Sequence, residues 1–175
     1  MKSQWNPGHI LSYLTDKSIH LKIELWWISK TKFSFVQEGV QEFTKRIQRY
    51  YPFDVVTIET NIKDRTPAII KKKEAEIIAS KISAKDYLIL LDENGKGYDS
   101  VQFAEKLEKW LGTGKQRLVF VVGGAYGFDQ SIKEKAQGLL SLSKMTFSHQ
   151  LIRLLFAEQL YRACTIIRGE KYHNP

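Results

Sequence analysis

Cysteine is nearly missing: Cys164 is the only one in 175 residues. A lone thiol excludes an internal disulfide framework and any metal site built from several cysteines. It fits a reducing cytoplasm, which is the expected location. Long apolar runs are also missing, and no window approaches the ~18 consecutive apolar residues of a membrane-spanning helix. The chain has no Gly-x-Gly-x-x-Gly after its first strand, no Gly-Lys-Ser/Thr phosphate loop, no zinc-ligand spacing, no nucleophile elbow and no kinase signature set. These absences argue against nicotinamide-dependent enzymes, P-loop enzymes and zinc enzymes, and no metal is expected. Acidic charge is in deficit. Against 27 Lys and Arg stand 19 Asp and Glu, a formal net charge of +8. Lys and Arg that displace counterions from phosphates supply most non-specific nucleic-acid affinity, so the surplus suits a polyanionic partner. General solubility is the plainer alternative, and charge alone does not choose between RNA and DNA.

The length suits one domain with a proper core. Residues 1–21 read as an N-terminal extension of open role. They hold the turn signal Asn6-Pro7-Gly8 and lack a basic start followed by an apolar run. Residues 22–175 read as a single domain. Strands are expected at 22–28, rich in β-branched and aromatic residues, at 53–58, at 87–91 and 117–122, nearly all apolar as burial on both faces requires, and briefly at 139–143. Helices are expected at 34–50, from Thr66-Pro67 to Ile82, from a Ser100 cap to Leu111, after an Asp129 cap, and from His149 to Ile167. In the second helix Ile69, Ile70, Ile77, Ile78 and Ile82 should face inward, with Lys71-Lys72-Lys73 on the wet side, where they could still attract RNA. Alternation of strands and helices predicts an α/β fold, a parallel sheet with helices on both faces.

Ligands of open parallel sheets bind beyond the carboxyl ends of the strands. Three loops fall there: 92–97, 123–128 and 144–148. The glycines of Gly123-Gly124-Ala125-Tyr126-Gly127 let backbone approach a ligand, or simply make a tight turn. Residues Leu142 to His149 bring hydroxyls, a thioether and free amides to a helix start, or merely cap that helix through Ser148. The final helix is apolar nearly all round, so one side should pack on a second subunit. Glu158 and Arg162, four residues apart, pair on the helix or serve a reaction. Tyr172 and His173, in a tail that would ordinarily fray, could stack on a base or move a proton.

Together these segments resemble the ribosomal RNA large-subunit methyltransferase H family of the knotted SPOUT class. The resemblance is carried by Leu90-Leu91-Asp92 with Gly95-Lys96, Phe120-Val121-Val122-Gly123-Gly124 with Gly127, and Leu142-Ser143-Lys144-Met145-Thr146-Phe147 with His149. Arg153, Glu158-Gln159-Leu160-Tyr161-Arg162-Ala163 and Arg168-Gly169-Glu170 with Tyr172-His173 complete it. It covers about residues 22–173. Ser148 stands where many members have proline, and residues 1–21 have no counterpart. The resemblance implies a C-terminal trefoil knot, a homodimer, and S-adenosylmethionine-dependent methylation of N3 of a pseudouridine in 23S rRNA of the assembled ribosome. It implies a cofactor site at Leu91, Gly123, Leu142, Ser143, Lys144, Met145, Thr146 and Phe147. His173, Tyr172, Arg153 and Arg162 are the candidates for the chemistry. The alternatives are a knotted transfer-RNA methyltransferase and a non-catalytic ribosome-binding protein.

Overall fold

The computed structural model describes residues 21–173. The expected extension therefore lies outside the described residues, apart from Leu21. The elements run β1 (Lys22–Ile28), α1 (Ser34–Ile47), β2 (Phe53–Ile58), α2 (Pro67–Lys81), β3 (Asp86–Gly97), α3 (Ser100–Leu111), β4 (Arg117–Val122), α4 (Gln130–Lys133), β5 (Gly138–Ser141) and α5 (Leu151–Ile167). All pairings are parallel, in the order β2-β1-β4-β3-β5.

The strands are apolar on both faces because each face carries its own core. Ile23, Leu25 and Trp27 of β1 join Leu118, Phe120 and Val122 of β4 under α1, α3 and α5. The alternate residues Trp26, Ile28, Val119 and Val121 join Ala75 and Ile78 of α2 and Ile132 of α4 on the other face. At the amino ends of the strands, Arg117 bonds Asp86 at 2.6 Å and Glu24 at 3.1 Å, which ties β4 to both neighbours. Site chemistry is left to the opposite, carboxyl ends.

Three expectations need correction. Ser100 does not cap α3. The Asp99 carboxylate accepts from the Gln102 amide at 2.8 Å while the Gln102 side chain accepts from the Asp99 amide, a reciprocal capping box. β3 does not end at Leu91. The chain leaves the ladder after Leu91 and returns at Lys96, and both residues pair with Leu140 of β5. Ile69 does not face inward but is exposed, because the buried stripe of α2 is Glu74, Ala75 and Ile78.

Candidate active site

β4, β3 and β5 are neighbours, so the loops leaving their carboxyl ends converge. Between them lies a cleft of about 580 Å³, within the range of small-molecule sites. Leu91, Val122, Leu140, Leu142 and Ile152 give it apolar walls, and the backbone of Gly123 and Gly124 forms one side. Residues 142–148 are held by local bonds. The Ser141 hydroxyl donates to the Ser143 carbonyl at 3.0 Å, and the Met145 amide donates to the Ser143 hydroxyl at 2.9 Å. The Ser148 hydroxyl accepts from the Leu151 amide at 3.1 Å, two residues ahead of the N-cap of α5, which is Gln150. The amides of Lys144, Thr146 and Phe147 have no acceptor among the described residues and are free for a ligand. Met145 and Phe147 stay exposed at the rim.

One wall is charged. Asp92 and Lys133 pair at 2.6 Å, and Asp92 also accepts from the Asn94 amide, which fixes the excursion after Leu91. Burial alone would raise the Asp92 carboxyl, but Lys133 and Asn94 outweigh it and hold it below the usual carboxylate range. Lys71 reaches the cleft from α2. His149 lines the cleft too, with its imidazole pushed down by burial and by Arg153 and Lys32, hence neutral at pH 7.

Arg153 is fully buried behind His149 and does not line the cleft. It donates to the carbonyls of His149, Ser29 and Ile28 and to the Thr31 hydroxyl, and stacks over Trp27 at 5.0 Å. Arg162 pairs with Glu158 at 2.6 Å. The tail folds back onto this pair. The Tyr172 hydroxyl donates to Glu158 at 3.2 Å, its ring lies under Arg162 at 4.8 Å, and it packs edge-on against Tyr161. His173 follows, its Nδ1 buried and bonded to nothing among the described residues. Glu158 lies six residues beyond Ile152, about 9 Å further along the helix axis, so tail and cleft are separate places on one chain.

Of the expected cofactor residues, Leu91, Gly123, Leu142, Ser143, Met145, Thr146 and Phe147 line the cleft, while the exposed Lys144 does not. Arg162 and Tyr172 meet at Glu158, neither they nor His173 line the cleft, and Arg153 is buried. Sequence reasoning missed Lys71, Glu74 and Lys133 as site neighbours. For Glu74 the signal was its place beside Ala75 on the buried side of α2, one turn from Lys71, which the isoleucines obscured; Lys133 left none.

Comparison with known proteins fits this geometry. The sequence profile of the family described as "Predicted SPOUT methyltransferase" matches residues 21–173. A Flavobacterium johnsoniae protein named ribosomal RNA large subunit methyltransferase H is 50% identical over 156 residues, covering 88% of this chain and 99% of the relative. Proteins of the same name from Parabacteroides distasonis and Cytophaga hutchinsonii are 47% and 43% identical, again over 88% of this chain and 99% and 100% of the relatives. A parallel sheet, a ligand-sized cleft at its carboxyl end and matches over nearly the whole described chain agree: the protein belongs to the SPOUT methyltransferase family.

Proposed function

We propose that the protein transfers a methyl group from S-adenosylmethionine to N3 of a pseudouridine in 23S rRNA of the assembled ribosome, working as a homodimer. The observation that carries this reading is the meeting of three loops at one cleft, in a chain whose relatives bear the name of a ribosomal RNA methyltransferase. The cleft suits the cofactor: apolar walls for an adenine ring, the amides of Thr146 and Phe147, without acceptors among the described residues, for its polar edge, and glycine backbone at close approach. Bound there, S-adenosylmethionine supplies an electrophilic methyl group.

The protein must then align N3 and take its proton. Holding reactants in a near-attack geometry supplies up to roughly 7–11 kcal/mol in ideal cases. His173 is the proton acceptor, a role supported by its Nδ1, which has no partner among the described residues. Tyr172 orients the ring, and Arg162, fixed by Glu158, offsets negative charge on the base oxygens. Arg153 acts from behind, by holding the His149 carbonyl and the chain after β1.

A second subunit joins the separate parts. α5 leaves Leu151, Leu154, Leu155 and Ile166 half-buried, and Phe33 and Phe35 stand exposed beside the start of α1. A copy packed on this surface brings its tail to the neighbouring cleft. The residue assignment is tested with His173→Ala. Single-turnover methylation should slow by about 100-fold while cofactor affinity stays unchanged. An unchanged rate eliminates His173 as the base.

A further inference from the structure

α2 carries a carboxylate that the reaction as described does not use. Glu74 is only 8% exposed, on the same stripe as the apolar Ala75 and Ile78. Its carboxylate lies directly behind the glycine loop, since a methyl group added at Gly124 would fall 2.7 Å from both of its oxygens. No Lys, Arg or His among the described residues lies within ion-pair distance of it. The charged groups on the elements around it are otherwise engaged or too far away. Lys133 is held by Asp92, Asp129 caps α4, and Lys71 points to the cleft. Burial pushes the Glu74 carboxyl up, and the Gly124 backbone amide opposes that push.

A position like this is poorly explained by stability. A buried carboxylate without a cation is costly, and an apolar side chain of similar size is commonly as stable or more so. Local rules broken beside a site point to the site. We infer that Glu74 is a positioning residue, whose carboxylate fixes the Gly123–Gly124 backbone in the shape that receives S-adenosylmethionine. The inference rests on the reading that the cleft takes this cofactor. It also explains why residue 124 is glycine: any larger side chain would meet the carboxylate.

The test is calorimetric titration of the full chain with S-adenosylmethionine and with S-adenosylhomocysteine, alongside thermal unfolding without ligand. Glu74→Met should melt at or above the wild type yet bind both ligands about tenfold more weakly, as the glycine backbone loses the contact that holds its shape. Glu74→Gln keeps an acceptor oxygen and should bind both within about threefold of wild type. Should Glu74→Met not fold, Glu74→Ala carries the same binding expectation. A folded Met or Ala variant that binds both ligands like the wild type overturns the inference. A loss confined to S-adenosylmethionine also overturns it, because Glu74 would then contact the cofactor's positive charge directly. Wild-type protein that binds neither ligand overturns the cofactor reading itself, a result distinct from either.

Discussion

Two arginines show how one side-chain type takes opposite roles. Among the described residues Arg153 has no carboxylate partner. Burial pulls its guanidinium down to about 10, and it spends its donors on carbonyls at the end of β1 and the start of α5. Arg117 instead meets the buried Asp86. Burial alone would raise that carboxyl, but bonds from Arg117 and Ser83 outweigh it and hold it below the usual range. A depressed folded-state value adds stability above the unfolded value of roughly 3.9, and that stability is lost as pH falls through the folded value. Wild-type stability should therefore fall on acidification below about pH 4. Arg117→Met should cost about 3 kcal/mol at pH 7 by stranding Asp86. The stranded acid then titrates high, so the variant should recover stability as pH drops from 7 toward 5. Urea unfolding across this range checks both statements, and parallel pH profiles would refute the assignment. Neither Arg153 nor Glu74 could be recognised as buried from the sequence, because a charged residue reads as surface until its tertiary neighbours are known.

At the scale of elements, the strands were legible because two-sided burial writes near-continuous apolar runs, as in Leu88-Ile89-Leu90 and Leu118-Val119-Phe120-Val121-Val122. The three loops of the cleft were legible for the same reason: once the strands are placed, their carboxyl ends follow. The return of β3 to the ladder was not, since it depends on pairing with β5 rather than on local propensity. Gly95 makes that return possible, because a Cβ there would lie 2.6 Å from the backbone of Leu139 and Leu140. Gly95→Ala should push β5 aside, cost about 2 kcal/mol and speed amide exchange in residues 138–141. Exchange at wild-type rates would mean that the close approach relaxes without consequence.

For the molecule as a whole, the separation of cleft and tail is the organising fact. Among the described residues no helix is long and apolar enough to cross a membrane, and one face of α5 is left half-buried in the single chain. A site shared across subunits predicts complementation. Mixing His173→Ala with a Gly123→Trp variant that cannot accept cofactor should restore about a quarter of wild-type activity after subunit exchange, since half the dimers carry one complete site of two. No recovery after verified exchange would place the tail in its own chain's site.

Methyl-labelled S-adenosylmethionine offered with intact ribosomes, free large subunits or bulk transfer RNA decides which RNA is the substrate. Label is expected in 23S rRNA of the intact ribosome, at N3 of one pseudouridine. Label in transfer RNA, or none in any RNA despite measured cofactor binding to active dimer, would contradict the proposed function.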